Sequence, residues 1–397
     1  MTVVQINCSA NGSTGNIAKA IHRSLLSNGY NSYIFFGGGT PTENNMIRIG
    51  NYFSLHSHAV LSRNLGKQGY FSIFATIKLI QQLKKIQPDI IHLHNLHGSY
   101  LNLPLLFRYL KNSSANIVLT LHDCWLFTGK CPYFTVAGCN KWKESCGNCP
   151  QLNIYPRSKV DTTSKCLLDK KKWLSGFGDR MHIVAVSNWL RDMAKQSYLN
   201  QYPINTIYNG IDIEVFRPMN GNVIGEKYGI NEDKFVILGV ASVWDDRKGL
   251  AEFFDLSKKI SDSDIIVLVG LSEQQISELP PNIIGIRRTE NQTELAQLYS
   301  RANIFVNPSK EETFGLVTAE AMACGTPTIV YNSTACAEVI DETSIALPID
   351  GKKKLIDAVN EIKAQGYVQS ELADIFKKES MTGGYISEYA KCVSSKK

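Results

Sequence analysis

Two doubly wound α/β domains in tandem are the fold class this sequence predicts, on three observations. The chain has 397 residues, 44% of them hydrophobic, enough for a core in each of two domains at roughly 150 residues per domain. Short β-branched or apolar runs alternate with segments of helical period, as in a parallel sheet covered by helices. The alternation occurs twice, and the turn-rich stretch from Tyr208-Asn-Gly-Ile-Asp212 to Phe216-Arg-Pro218 lies between the two series and suits a hinge.

In the first series, strands are expected at Val3–Asn7, Ser32–Phe36, Ile90–His94, Ile117–Leu121 and His182–Ser187. Helical patterns cover Asn16–Ser27, Phe71–Ile86 and Ser187–Gln196, where Ser187 is a suitable N-cap. The second series places strands at Phe235–Ala241, Asp264–Val269, Ile283–Ile286, Ile304–Val306 and Thr328–Val330. Its helices are expected at Gly249–Ile260, Gln292–Ser300 and Leu316–Cys324. The domain change falls near residue 205, dividing the chain into 1–205 and 206–382. The tail from Gly351 reads as helical throughout, and its last piece, about 383–397, is expected to pack back on the first domain. Open parallel sheets bind ligands beyond the carboxyl ends of their strands, so a cleft between the two domains is the expected site.

Lys+Arg 42 against Asp+Glu 36 gives a net charge of +6, too mild and dispersed for a nucleic-acid binder but favourable for anionic ligands or an anionic membrane surface. No basic residue precedes the apolar residues of Met1–Asn7, and no apolar run approaches the roughly 20 residues of a bilayer span, so a cytoplasmic location is expected. Cysteines there stay reduced. Five of the ten crowd into the 26 residues from Cys124 to Cys149, marking residues 124–150 as an insert. Cys131, Cys139, Cys146 and Cys149 supply the four ligands of a structural zinc, the last two spaced Cys-x2-Cys. Free thiols and disulfides are the competing readings.

The most specific feature is Pro308-Ser-Lys-Glu-Glu312-Thr-Phe-Gly315-Leu-Val-Thr-Ala-Glu320-Ala-Met-Ala-Cys-Gly325-Thr-Pro327. A strand ends at Val306, a loop carries Glu312, Gly315 lets the backbone approach a ligand, and a helix starts near Leu316 with Glu320 one turn in. The amides of Phe314, Gly315 and Leu316 then point at an anion from a helix N-terminus. A carboxylate at Glu320 accepts from both hydroxyls of a vicinal diol, as a ribose presents, and Glu312 reaches hydroxyls beyond the phosphates. Lys248, with Arg247 beside it, follows the first strand of the second series, where an ammonium can neutralise an anion without a metal. Gly12 and Gly15 connect the first strand to its helix and set their amides toward the expected cleft, though a strand–helix connector needs no other explanation. His122 ends a strand as a ligand-facing or a core-satisfied histidine. His92, His94 and His97 look metal-like, but strand alternation separates His97 from the other two, favouring a structural or acceptor-side role. Arg287 and Arg288 follow a strand of the second series as weaker candidates.

These residues resemble the retaining glycosyltransferases of family four, whose two-Rossmann architecture is called GT-B. The pair Glu312 and Glu320 with Ala-Met-Ala-Cys-Gly-Thr-Pro is similar to that family's nucleotide-sugar motif. Asn209-Gly-Ile-Asp212 to Phe216 resembles its interdomain motif, Lys248-Gly249 its phosphate-binding Lys-Gly, Gly12-Ser-Thr-Gly15 its glycine loop and His122 its cleft histidine. The resemblance implies two Rossmann-like domains facing each other across a cleft, the first for the acceptor and the second for the nucleotide sugar. It implies transfer of a hexose-type sugar, with retention, from a UDP- or GDP-linked donor to a saccharide or lipid-linked saccharide, as in bacterial exopolysaccharide or O-antigen assembly. On that basis His122, Lys248 and Glu312 are catalytic, and Gly12, Gly15, Arg247, Lys248, Phe314, Gly315, Leu316 and Glu320 hold the donor. No cofactor is required for catalysis. The sequence departs from the family where Ala241-Ser-Val-Trp-Asp-Asp246 replaces a Gly-Arg-Leu-like segment; either Arg247 substitutes for the missing arginine or Trp244 reshapes the pocket. The competing functions are a non-catalytic sugar-nucleotide-binding protein and a sugar phosphorylase or epimerase on the same fold. The apolar and basic segment Phe71–Lys85 suits docking on the cytoplasmic face of the inner membrane, or is a sheet-covering helix with solvated lysines.

Overall fold

The computed structural model describes residues 1–366 and 368–394, and its chain divides into two compact units. One comprises Met1–Tyr208 and the segment from Thr382 onward; the other is Asn209–Met381.

The first unit runs β1 (Thr2–Ser9), α1 (Gly12–Ser27), β2 (Asn31–Gly38), β3 (Met46–Arg48), α2 (Tyr52–Leu65), α3 (Ile73–Ile86), β4 (Ile90–Leu93), α4 (Leu103–Asn112), β5 (Asn116–Leu121), α5 (Thr163–Leu174), β6 (Met181–Ala185), α6 (Asn188–Lys195) and β7 (Ile204–Thr206). Its sheet is parallel, in the order β3-β2-β1-β4-β5-β6-β7. Every residue of β4 and β5 is buried, which is why these strands read as continuous apolar runs rather than as alternating ones. Ser187 caps α6 by accepting from the Leu190 amide.

The second unit runs α7 (Asn222–Tyr228), β8 (Phe235–Val240), α8 (Leu250–Ser257), β9 (Asp264–Val269), α9 (Glu273–Ser277), β10 (Ile283–Ile286), α10 (Gln292–Arg301), β11 (Ile304–Asn307), α11 (Leu316–Ala323), β12 (Thr328–Tyr331), β13 (Ile345–Leu347) and α12 (Leu355–Gln365). Its parallel sheet has the order β10-β9-β8-β11-β12-β13. The last helix, α13 (Lys378–Ser394), begins in this unit and continues into the first.

Three expectations change. Gly12 and Gly15 lie in the first turn of α1 and not in a connector before it, because Asn11 is extended and acts as the N-cap residue. A Cβ on Gly15 would sit 2.6 Å from the Ala10 carbonyl carbon, so only glycine lets the helix start this close to β1. The boundary falls after Tyr208, since β7 pairs with β6 in the first sheet. The tail is not helical throughout. Between α12 and α13 the chain hydrogen-bonds elsewhere: the Glu371 amide donates to Asp341 Oδ2 (2.9 Å), the Ile211 amide to the Phe376 carbonyl (2.8 Å) and the Lys378 amide to the Ile211 carbonyl (2.9 Å).

The expected helix at 383–397 is part of α13, which passes through Gly383-Gly384 without a break; residues 395–397 lie outside the described residues. Gly384 faces Ile207, whose methyl would lie 3.2 Å from an added Cβ. Beyond it, the Tyr389 hydroxyl bonds His92 Nδ1 (2.6 Å), the Tyr385 hydroxyl bonds Thr120 Oγ1 (3.0 Å) and Asn116 Nδ2 donates to the Cys392 carbonyl (2.7 Å). The tail helix thus satisfies polar groups of β4 and β5 that burial would otherwise strand.

His182 on β6 anchors the same helix through Nδ1 to Glu388 Oε1 at 3.0 Å. Hydrogen bonds to Cys392 and Glu388 raise the imidazolium from 6.5 to about 10. A pKa raised by folding contributes stability that is complete below the unfolded value and lost as the pH climbs through the folded one. The native chain should therefore lose stability between pH 6.5 and about 10, and Glu388→Gln should flatten that slope. Urea-unfolding midpoints at pH 6, 8 and 10 measure it; equal slopes for both proteins would refute the anchor.

Candidate functional site

In the second unit the chain's direction of travel across the sheet reverses between β8 and β11, the place where open α/β sheets bind ligands. The loops that follow these two strands hold the sequence-predicted residues. Both end in a glycine at positive φ, Gly249 (73°) before α8 and Gly315 (97°) before α11, and neither helix has a side-chain cap. The Thr318 amide turns back to the Gly315 carbonyl (3.0 Å), and no capping side chain meets the Leu316 and Val317 N–H groups that open α11.

The two loops interlock. A Cβ on Gly249 would come within 2.5 Å of the Pro308 carbonyl oxygen. The Lys310 amide donates to the Arg247 carbonyl (2.9 Å), and Arg247 Nη1 donates to the Glu311 carbonyl (3.0 Å). Lys248 Nζ forms an ion pair with Glu312 Oε1, both side chains largely buried. Glu312 is fixed from the other side, where its amide donates to Thr334 Oγ1 (2.9 Å) and its carbonyl accepts from the Ala335 amide (3.3 Å). Lys248 and Glu312, placed separately in the sequence reading, are partners here.

Glu320 lies on α11 with its Oε2 accepting from the Tyr299 hydroxyl at 3.1 Å. Burial pushes its carboxyl up from 4.5 to about 7, against the opposing pull of that hydrogen bond. Trp244 does not reshape this pocket. It is a core residue, its indole N–H donating to the Val269 carbonyl (3.0 Å) and its ring lying edge-on to Phe253 at 5.4 Å. An indole so placed satisfies its one donor and buries its large ring at once. Arg247 is therefore the guanidinium beside Lys248. Arg287 makes an exposed pair with Glu273 (2.9 Å), and Arg288 is exposed.

In the first unit the order reverses between β1 and β4. Gly12 and Gly15 follow β1, His94 to His97 follow β4, and His122 follows β5. A buried chain of hydrogen bonds fixes the protons. Gln5 Nε2 donates to the Ala18 carbonyl (3.0 Å), so its Oε1 accepts from His94 Nε2–H (3.0 Å). His94 Nδ1, neutral, then accepts from His122 Nε2–H at 3.0 Å. Burial holds His94 well below the usual histidine range and lowers His122 to about 4. His92 commits both nitrogens, Nδ1 to Tyr389 (2.6 Å) and Nε2 to Thr120 (2.7 Å), and lies against His94 with ring centroids 3.9 Å apart and planes tilted by 35°. It has no nitrogen left for a metal. His97 Nε2 pairs with Asp123 Oδ2 at 2.8 Å; burial alone would raise this carboxyl, but His97 and the Trp125 amide hold it below its ordinary value.

All ten cysteines are unbridged, against the disulfide reading. Cys131, Cys139, Cys146 and Cys149 line one small cavity with Lys130 and Trp142, and Cys146 Sγ accepts from the Gly129 amide at 3.2 Å. Among the described residues, the one group of three such side chains with ligand atoms all within 4.8 Å is His182, Glu388 and Cys392; the four cysteines are not so tightly gathered. Two buried lysines brace the insert. Lys130 Nζ donates to the Gln151 (2.7 Å) and Ile154 (2.8 Å) carbonyls, and Lys170 Nζ to those of Trp125 (2.6 Å) and Thr128 (3.0 Å).

Sequence reasoning did not single out Tyr299, Gln5, Thr334 or Lys170. Tyr299 sits on a helix whose period marked an inward face without revealing that the face was polar, and Lys170 sits on α5, where no helix was expected. Asp123 was visible as the neighbour of His122, but its partner His97 is 26 residues away.

Residues 14–215 match the family model described as Glycosyltransferase Family 4, and residues 234–365 match that described as Glycosyl transferases group 1. WcaC of Escherichia coli (strain K12), named as a colanic acid biosynthesis glycosyl transferase, is 23% identical over 360 residues, covering 86% of each chain. Among solved structures, a sucrose-phosphate synthase from Thermosynechococcus elongatus superposes with a TM-score of 0.72 at 16% identity, covering 100% of both chains. HepE of Anabaena, in complex with UDP and glucose, superposes with a TM-score of 0.66 at 13% identity, covering 98% of this chain and 100% of its own.

The raised Glu320 carboxyl yields a stability test. Its ionised form is disfavoured in the folded chain, so the stabilisation present below 4.5 is lost as the pH rises to about 7. Glu320→Gln, which keeps the shape without the charge, should raise stability above pH 7 by about 1–3 kcal/mol and change little at pH 4.5 or below. Thermal melts of the two proteins across that range check it, and a melt difference that does not vary with pH would contradict the burial argument.

Proposed function

The chain belongs to Glycosyltransferase Family 4, with the GT-B fold of two Rossmann-like domains, and from that premise we propose that it transfers a sugar, with retention, from a nucleotide-diphosphate sugar to a saccharide acceptor in surface-polysaccharide assembly. The observation that carries the donor assignment is the interlocked pair of loops at the β8–β11 reversal. It sets Lys248, Arg247 and Glu312 beside the uncapped start of α11, with Glu320 one turn along the same helix.

In this reading the diphosphate sits on the amides of Phe314, Gly315 and Leu316 and on Lys248, with Arg247 alongside. Lys248 exchanges the Glu312 carboxylate for phosphate oxygens, and the released Glu312 accepts from hydroxyls of the sugar. Glu320 accepts from the ribose diol. Gly12 and Gly15 offer the first-turn amides of α1, and His122 steadies the donor sugar in the orientation set through His94. The acceptor oxygen bonds to the anomeric carbon as the bond from that carbon to the leaving phosphate oxygen breaks. The acceptor proton passes to that same oxygen on the same face.

A UDP-linked donor is supported by the UDP and glucose in HepE, and GDP remains the other arm of the test. The name of WcaC supports a polysaccharide product. The net charge of +6 and the mixed apolar and basic α3 favour a lipid-linked acceptor met at the cytoplasmic membrane face; no described helix is long and apolar enough to cross a membrane.

Incubation with a panel of UDP- and GDP-sugars should release nucleoside diphosphate, faster with acceptor present, and NMR of the product should show the donor's anomeric configuration. Lys248→Ala should lower kcat by about 10²-fold or more, whereas Glu320→Ala should chiefly raise the donor KM. Unaltered kinetics in both variants would remove the site assignment. Isomerisation, consumption of free phosphate, or saturation without turnover would point to an epimerase, a phosphorylase or a binding protein.

A structural zinc on Cys131, Cys139, Cys146 and Cys149 belongs to the same proposal. Four thiols around one cavity, one of them already accepting an amide N–H, suit zinc in kind and number. Bound there, the ion would fix the insert that follows His122. Elemental analysis of the purified protein should find zinc, with loss on Cys146→Ser; less than about half an equivalent in the native protein would exclude a structural ion.

A further inference from the structure

Away from both reversal points, α2, α3 and the edge strand β3 enclose an open groove of about 830 Å³ in the first unit, within the range of small-ligand sites. Its rim is apolar and exposed: Phe53 is 77% and Phe74 83% accessible, with Ile73 and Leu61 at 49% and 41%. Aromatic side chains left this open on a groove edge mark a contact surface and are no part of a core. Its wall is polar and basic, lined by Arg48, Ser54, His58, Ser72 and Lys78.

His58 is the decisive residue. It is 1% exposed, and its Nε2 is buried without a hydrogen-bond partner. Ser54 Oγ donates to Ser72 Oγ (3.4 Å), and the Ser72 hydroxyl keeps its own proton to offer to His58 Nδ1 (2.8 Å). In that tautomer the neutral ring carries its hydrogen on Nε2, a donor without an acceptor in a residue that lines the groove. Ser72 holds its place at φ 56°, left-handed for a residue that is not glycine, a conformation that costs on the order of 1–3 kcal/mol and persists where the surroundings impose it. An unsatisfied buried donor is itself costly, and the two features together describe a wall set for an acceptor oxygen.

We propose that this groove binds a phosphate-bearing membrane lipid, its hydrocarbon chain on Phe53, Leu61, Ile73 and Phe74 and its phosphate oxygens facing His58 Nε2–H, Arg48 and Lys78. The apolar rim matches the chain, and the two cations and the imidazole N–H match the phosphate. The inference rests on the lipid-linked acceptor reading and gives that acceptor's carrier a place in the first unit.

Calorimetric titration of the full chain with dodecyl phosphate, below its micellar concentration, tests the groove directly, with inorganic phosphate and dodecanol as controls. Dodecyl phosphate should bind tighter than either control. The double variant Phe53→Ser/Phe74→Ser, altered only at exposed positions, should weaken binding by about tenfold or more, and His58→Gln should weaken dodecyl phosphate while leaving dodecanol unchanged. Dodecyl phosphate binding no tighter than both controls, or equally tight in the double variant and the native chain, would overturn the proposal. Nucleoside diphosphate release by the same preparations separates the two readings: turnover without lipid-phosphate binding sinks the groove alone, whereas lipid-phosphate binding without turnover upholds the groove and sinks the transferase.

Discussion

A parallel strand that feeds a helix leaves that helix's first-turn N–H groups at the carboxyl edge of the sheet, and the chemistry of the second unit depends on how those donors are met. At α11 the N-cap is Gly315, which has no side chain to offer, and the nearest carboxylate on the preceding loop, Glu312, is turned to Lys248 instead. The site therefore has its donors in place before any ligand arrives, with backbone dipoles and Arg247 beside a Lys248 held by Glu312. The loops cannot drift apart, because Arg247 donates to the Glu311 carbonyl and accepts through its own carbonyl from Lys310. Preorganisation of this kind spares the loops a rearrangement when a phosphate binds, so that the one bond to be exchanged is that between Lys248 and Glu312.

The first unit solves a different problem. Its central strands place Gln5, His92, His94 and Thr120 at buried positions of a sheet covered on both faces, where an unpaired polar group would cost about 1–3 kcal/mol. Burial selects neutral imidazoles, and a neutral imidazole has one donor and one acceptor, so each bond dictates the next. The amide of Gln5 sets His94, His94 sets His122, and Tyr385 and Tyr389 on the tail helix close the other side of the array. The same residues thus fold the tail onto the sheet and orient the one histidine that ends β5.

The alternation of strands and helices was legible because apolar runs and turn residues are local signals. The short strands β3 and β7 were not: at three residues each, they carry too little pattern, and their identity comes from pairing with β2 and β6. The start of α1 differs for a related reason, since glycine at Gly12 and Gly15 reads as a turn, while the structure needs it at Gly12 for a φ of 75° and at Gly15 for the close packing against Ala10. At the site, Lys248, Glu312 and Glu320 could be placed on their loops and helix by motif. Their pairing could not, because ion pairs such as Lys248 with Glu312 join residues 64 apart. Trp244 shows the limit most plainly: it occupied the position of a missing arginine in the sequence and a position in the core in three dimensions.

The Lys248–Glu312 pair gives the site a threshold. An ion pair taken largely out of water has already lost part of its hydration, and separating it leaves two poorly solvated charges. A ligand that carries only a sugar could satisfy Glu312 but would strand Lys248, and a ligand that carries only phosphate would do the reverse. On the proposed reading, a nucleotide-diphosphate sugar supplies an anion for the ammonium and hydroxyls for the carboxylate in one molecule, and so replaces both halves of the bond it breaks. The ion pair then discriminates against partial ligands by the cost of the charge each would abandon, which is how specificity arises from an unpaired group rather than from an added contact.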